Sequence, residues 1–386
     1  MANKRKRIPD NIKLKLWAKS AGRCQFPGCN KSVWQNSLTL SEANFAEIAH
    51  IIGSSNKGPR GNECSEELQT DFSNLMLLCN DCHDEIDYYE KAYGVDLLKD
   101  WKSKHEERIE VQTQLSDEIN KSTILTFTAR IQDRMPSIPR EAIKGAMFNN
   151  HVPKFPVDWK GLSISFEDFD CNGDTTEWEL AATKIKSRIE QGLRSGIDGV
   201  NITHLSIFAI GPMPLLMYLG KCIGDTIPTN IFQAHRHIED THKTWTWHSS
   251  VEDELSEGYL IEKVKVYEST KNVMLLLEIS DYLNPDKYEG LADDSFSIYK
   301  LCVQEPHTRW MKYPKQLETF STEYRKLLNQ IQALHGNDCN IYLCPSVPLS
   351  IAVECGRAIL PTKDPNIFAC QYNQSERCFK LVLKIN

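Results

Sequence analysis

Residues 73–87 read SNLMLLCNDCHDEID and bring Asn74, Cys79, Cys82 and His83 within ten positions. The apolar run Leu75-Met76-Leu77-Leu78 reads as a short buried strand, and the charged residues after Cys79 read as a helix that Asp81 can cap. Upstream, Cys24 and Cys29 form a C-x4-C pair that matches the C-x2-C pair of Cys79 and Cys82. Two short-spaced thiol pairs supply the four ligands of tetrahedral Zn2+, each gripping one edge of the tetrahedron. A lone CxxC would suit a redox pair equally well, so the second pair is what makes a structural zinc the better reading. Cys64 has no partner at such spacing and reads as an ordinary half-buried thiol.

Working outward, DNIKLKLWAKSAG (10–22) predicts an amphipathic helix with Ile12, Leu14, Leu16 and Trp17 as its apolar members and Gly22 as its stop. FAEIAHIIG (45–53) predicts a strand ending at Gly53, and NKGPRGN (56–62) a loop, since two Gly and a Pro exclude regular structure. A charged helix over 97–118 leads out of this unit, which spans residues 1–115. Residues 116–150, with Pro136 and Pro139, read as a linker.

From 151 to 386 strand-like runs such as LSISFED, HLSIFAIG, VMLLLEIS and NIYLC alternate with helical ones, the pattern of an α/β domain with a largely parallel sheet. This domain contains a repeat. Leu205–Phe232 lies over Ile341–Phe368 without a gap, so that Pro212 falls on Pro348, Gly220 on Gly356, Thr226 on Thr362, and Asn230-Ile231-Phe232 on Asn366-Ile367-Phe368. Lys221 falls on Arg357. Each copy reads strand, Pro turn, helix closed by Gly, loop, strand.

The chain of 386 residues carries a formal net charge of −7, which excludes a uniformly basic nucleic-acid coat. Charge is unevenly placed, however: Lys4 to Lys31 holds nine Lys or Arg and one acid, Asp10. That edge is either a phosphate-contacting surface or a solvated helix face. The basic N-terminus is not followed by an apolar segment, so no secretory signal is expected. Thirteen scattered cysteines point to a reducing cytoplasm, and no apolar run of membrane-spanning length occurs.

With both cysteine pairs in place, AHI (49–51), NLMLLC (74–79) and CNDCH (79–83) resemble the HNH nucleases in their cysteine-flanked form. The resemblance implies an α+β, zinc-bound ββα-metal nuclease domain. In it His50 is the general base, Asn74 braces the loop and orients that histidine through its amide, and His83 holds a divalent metal, Mg2+, at the scissile phosphate. These residue types suit phosphodiester hydrolysis: an imidazole titrating near neutrality deprotonates water, and a hard cation offsets the charge that builds on phosphate. The sequence departs from the family at Ala49, where a further metal-binding Asp or His is common. Asp87, one turn beyond His83 on the same helix face, either supplies the missing oxygen or is a solvated carboxylate; Glu47 is a weaker candidate.

The second half resembles the SAVED sensor domain in LSIFAIGPMPLLMYLG (205–220), TWTW (244–247) and IYLCPSVPLSIAVECGRAI (341–359). The resemblance implies two fused CARF-like, Rossmann-like halves that bind a cyclic dinucleotide or other cyclic oligonucleotide. Strand ends followed by helix starts welcome phosphates, and two such units facing each other suit a nearly two-fold ligand. Candidate messenger-binding residues are Arg236 for phosphate, Trp245 and Trp247 for base stacking or else for the core, and Met213, Ser346 and Arg357 from the repeats. Joined together, the two halves resemble the HNH–SAVED effectors of CBASS anti-phage defence. That implies a cytoplasmic deoxyribonuclease on double-stranded DNA, activated when a nucleotidyltransferase makes its messenger and dimers assemble into larger oligomers such as tetramers. The alternatives are a modification-dependent HNH restriction nuclease, against which the acid excess of residues 111–386 counts, and a non-enzymatic zinc-ribbon DNA-binding regulator.

Overall fold

The computed structural model describes residues 6–36, 38–113, 121–148, 154–196, 201–235, 238–248, 258–268, 270–291 and 295–386. Its contacts divide the chain into two compact units, Met1–Ser116 and Asp117–Asn386. Among the described residues, no helix is long and apolar enough to cross a membrane.

The N-terminal unit is built on helix α1 (Asp10–Ser20), strand β1 (Ala46–His50), strand β2 (Leu75–Cys79), helix α2 (Asn80–Tyr88) and helix α3 (Val95–Thr113). Helix α1 ends where Ala21 and Gly22 both turn left-handed, at φ 51° and 62°. Strands β1 and β2 pair antiparallel, with His50 opposite Leu75 and Ala46 opposite Cys79. Every residue of β2 is buried, which is why its sequence is uniformly apolar instead of alternating. Leu16, Val33, Ile51, Leu75, Leu77, Ile86 and Leu98 make the core of this unit. Helix α2 starts one residue before Asp81, with Cys79 at the cap and no side-chain cap bond. Asp81 therefore does not cap; its carboxylate pairs with Lys31 Nζ at 2.9 Å.

The C-terminal unit begins well before residue 151. Strand β3 (Lys121–Ala129) and helix α4 (Arg140–Phe148) lie in the segment read as a linker, and that reading is corrected. Ile124, Leu125, Phe127 and Ala129 are buried, so β3 is a central strand covered on both faces. The downstream prolines mark only the turn that follows it. Strands β4 (Phe155–Pro156) and β5 (Leu162–Phe166) both run along one side of β3, and β6 (Leu205–Ile210) and then β7 (Thr229–Ile231) lie on its other side, all parallel. Helix α5 (Thr175–Ser195) packs Trp178, Ala181, Ala182, Ile185 and Ile189 inward at helical spacing.

A second sheet has six strands, beginning in sequence with β8 (Leu260–Lys265), β9 (Asn272–Glu278) and β10 (Ser297–Cys302). Strands β11 (Asn340–Ser346), β12 (Asn366–Asn373) and β13 (Cys378–Lys384) complete it. The order is β13-β12-β11-β9-β10-β8; the four inner strands are parallel and the two outer strands antiparallel. Helices α7 (Pro314–His335) and α8 (Leu349–Arg357) belong to this half, as α6 (Met213–Ile223) belongs to the first. The two matching stretches carry the same order of elements, β6-α6-β7 in one and β11-α8-β12 in the other. Helices α6 and α8 cross at their glycines: a Cβ on Gly220 would collide with the Val353 carbonyl oxygen, and one on Gly356 with the Met217 carbonyl oxygen.

Candidate functional site

Cys24 and Cys29 flank a tight turn in which Gly28 takes φ 83°, a conformation that favours glycine. The turn is pinned to β2 by Gln25, whose backbone N–H donates to the Leu77 carbonyl at 2.9 Å and whose side-chain oxygen accepts from Leu77 N–H at 2.8 Å. Cys79 closes β2 and Cys82 lies in the first turn of α2. All four sulfurs lie within 4.8 Å of one another, and Cys29 and Cys79 are 3.8 Å apart. Thiolates at the usual zinc–sulfur distance in a tetrahedron stand about 3.8 Å apart, whereas a disulfide would need about 2 Å. The donor set thus fits Zn2+. Burial pushes the Cys24 thiol up to about 12 and also raises Cys82, so without a cation these thiols hold their protons.

His50 ends β1 with its ring largely buried, and its Nε2 lies 3.0 Å from the Gln69 carbonyl oxygen. Asn74 does not orient that ring through its amide. Its Oδ1 accepts from Ile52 N–H at 2.7 Å, and its Nδ2 donates to the Ile52 and Leu68 carbonyls at 2.9 and 3.2 Å. The amide therefore shapes the loop, and the carbonyl of Gln69 meets the ring. Gln69 is fixed in turn, its side-chain Nε2 donating to the Ser54 carbonyl at 2.8 Å.

His83 and Asp87 share one face of α2, with His83 Nε2 and Asp87 Oδ2 3.9 Å apart. A nitrogen and an oxygen at this separation suit a hard divalent ion that retains most of its water. Ala49 is buried and offers no ligand. Glu47 lies on the Ala49 face of β1, opposite the His50 face, because strand side chains alternate; it is not part of this group.

Arg60, from the loop after β1, was not singled out from the sequence. Its guanidinium, 4% exposed, donates from Nε to the Ile51 carbonyl at 2.8 Å and from NH1 to the Ile86 carbonyl at 2.5 Å. NH2 reaches Asp87 Oδ1 at 2.7 Å and the His50 carbonyl at 3.4 Å. One side chain thus ties the end of β1 to the turn of α2 that carries Asp87. The Gly/Pro-rich loop that carries Arg60 gave no pattern from which this destination could be read.

In the C-terminal unit, Trp245 is buried against Phe208, ring centroids 5.4 Å apart, and Trp247 is buried beside His235 at 6.0 Å. Both are core residues, and the stacking role is corrected. Arg357 closes α8, far along the helix from its N-terminus, with Nε donating to the Gly224 carbonyl at 3.0 Å and NH1 paired with Glu354 at 3.1 Å. It braces the end of α6 and is not poised at a strand end for phosphate. Arg357 and Trp247 nevertheless border one cavity of about 550 Å³, with Glu318, Ser321 and Glu354.

Met213 opens α6 and Ser346 ends β11, so both lie at the carboxyl ends of parallel strands. The Ser346 carbonyl accepts from Ile279 and Ser280 N–H at 2.9 and 2.8 Å. Arg236 lies outside the described residues. Gln233, which the sequence reading passed over, links the halves: its Oε1 accepts from Ser350 N–H at 3.1 Å and from Ser350 Oγ at 2.8 Å, at the start of α8.

Residues 183–385 match the family described as the SMODS-associated and fused to various effectors sensor domain, SAVED. Among solved structures, the chain is similar to the Acinetobacter baumannii Cap4 SAVED/CARF-domain containing receptor with the cyclic trinucleotide 2'3'3'-cAAA. The TM-score is 0.47 at 12% identity, covering 84% of this chain and 66% of that one. The same receptor with 3'3'3'-cAAA gives 0.46 at 12%, covering 85% and 68%. The Moraxella osloensis Cap4 receptor gives 0.42 at 12%, covering 84% and 66%. The chain thus spans slightly under two thirds of the first of these proteins. No curated protein matches.

Proposed function

This chain belongs to the SAVED family, and from that premise we propose that it is an antiviral effector: a deoxyribonuclease switched on by a cyclic oligonucleotide. The observation that carries the nuclease half is the meeting of the His50 strand end with the His83–Asp87 face of α2 through one buried guanidinium. Zn2+ bound by Cys24, Cys29, Cys79 and Cys82 would lock the turn, the end of β2 and the start of α2 into one frame. His83 and Asp87 would hold Mg2+, which when bound supplies positive charge against the phosphate as charge builds there. His50 takes the proton of the attacking water, its ring held in place by the Gln69 carbonyl. Asn74 keeps the loop around that carbonyl closed.

The sensor half would take its messenger where the two repeats present strand carboxyl ends and helix starts, near Met213 and Ser346. The pseudo-two-fold crossing of α6 and α8 supports a ligand of similar symmetry, such as a cyclic dinucleotide or trinucleotide. Double-stranded DNA is the substrate in this reading, and a nucleotidyltransferase partner makes the messenger. Ligand-driven assembly into dimers and tetramers would bring several Lys4–Lys31 edges onto one duplex and hold it longer.

The test is full-length protein on unmodified plasmid with Mg2+ and a panel of cyclic di- and trinucleotides. Cleavage is expected with at least one messenger, and none with His50→Ala. Parental cleavage by His50→Ala, or intact plasmid with every messenger, would overturn the reading.

A further inference from the structure

We propose that Arg60 is a positioning residue for the divalent ion. It rests on the nuclease reading above and gives the regulation of metal binding a named side chain. Asp87 has two oxygens: Oδ1 is taken by Arg60 NH2 at 2.7 Å, and Oδ2 is the atom that lies 3.9 Å from His83 Nε2. By occupying Oδ1, Arg60 fixes the carboxylate rotation so that Oδ2 is presented to the ion. Outer-sphere partners of this kind hold ligand geometry and commonly change metal affinity by about 10–100-fold when removed.

The remaining donors of Arg60 go to main-chain carbonyls of Ile51, His50 and Ile86, so the guanidinium itself cannot swing away without orphaning them. Arg60 lies at φ 56° and its own N–H donates to Glu90 Oε2 at 3.2 Å, which fixes the backbone from which the side chain is launched. The fork geometry matters here. Lysine carries the charge but cannot address Asp87 and the carbonyls of both β1 and α2 together.

The experiment uses the full chain with its zinc. Mn2+ serves as the probe, its binding followed by the loss of free-Mn2+ electron paramagnetic resonance signal, with zinc content measured alongside. Arg60→Lys is expected to keep its zinc and bind Mn2+ at least tenfold more weakly. Its plasmid cleavage should recover to within a few-fold of the parent at saturating metal, a split that general loosening of the fold would not give. Unchanged Mn2+ affinity in Arg60→Lys, or cleavage lost equally at every metal concentration, overturns the proposal while leaving the nuclease reading intact. A parent chain that binds no Mn2+ overturns both.

Should Arg60→Lys lose its zinc, Arg60→Gln provides the second route. It leaves both ion-facing ligands in place and removes the guanidinium that holds Asp87 Oδ1. At least tenfold weaker Mn2+ binding with zinc retained supports the proposal, and unchanged binding overturns it.

Discussion

Gly220 and Gly356 face one another across the crossing of α6 and α8, each pressed against the other helix's main chain. Gly220 meets Val353 and Arg357, and Gly356 meets Met217 and Lys221. These partners are themselves equivalent under the repeat, so the contact is isologous within a single chain. Alanine at either glycine has no room, because the obstacle is backbone and not a movable side chain. Gly220→Ala and Gly356→Ala are each expected to cost about 3 kcal/mol, measured by urea unfolding. Gly290→Ala, where a Cβ meets nothing within 4 Å, should stay within about 0.5 kcal/mol. Equal effects at all three sites would contradict the crossing.

Zinc in the four-cysteine site should be stoichiometric and hold the N-terminal unit together. Binding of about 10–16 kcal/mol is typical of structural zinc, as large as the whole stability of an ordinary domain at about 5–15 kcal/mol. One zinc per chain is expected by elemental analysis. Cys79→Ser should abolish it and unfold residues 6–113 while the C-terminal unit's transition persists.

Asn74→Ala removes three hydrogen bonds at once and leaves the Ile52 N–H and the Ile52 and Leu68 carbonyls without that partner. A loss of roughly 3 kcal/mol is expected, read as a lower thermal midpoint of the N-terminal unit. Because the Leu68–Thr70 turn carries the carbonyl that meets His50, cleavage should also fall. Full cleavage in a destabilised Asn74→Ala would mean that the turn is not needed for the ring.

His204 and His235 supply an acid sensitivity to the C-terminal unit. Burial lowers each to about 4, helped by Lys154 near His204 and by His248 near His235. Both are neutral in the folded state and charge more readily when unfolded, at about 6.5. Protons are therefore taken up on unfolding between these values, and stability falls as pH drops from about 6.5 towards 4. The urea midpoint should be flat above pH 7 and decline below it, with a shallower slope in His204→Asn and His235→Asn. An unaltered slope in both variants would rule this out.

The cysteine quartet was legible because thiols that converge on one point come in pairs of short fixed spacing, and the four sulfurs do lie within 4.8 Å of one another. Asn74 was expected both to brace the loop and to orient the ring, and its amide does only the first, since its three bonds go to the backbone of Ile52 and Leu68. Arg60 was invisible because its loop folds back across 26 residues to Ile86, a distance no local pattern encodes. Strand β3 was hidden by the prolines that follow it. Trp245 and Trp247 were compatible with a stacking surface as well as with a core, and burial separates the two. The repeat was readable from its shared prolines, glycines and Asn-Ile-Phe runs, but the reason for the Gly220 and Gly356 pair, a backbone-to-backbone approach that leaves no room for a Cβ, was not.

Joining the two copies in one polypeptide has an evolutionary effect that a homodimer does not share. In a homodimer every substitution appears twice, so the binding surface stays symmetric by necessity. Here each side can differ alone, and the two copies do differ: Arg357 bonds to the Gly224 carbonyl, while its counterpart Lys221 rests over the Tyr218 ring. Such a scaffold is free to discriminate between ligands whose successive linkages or bases differ.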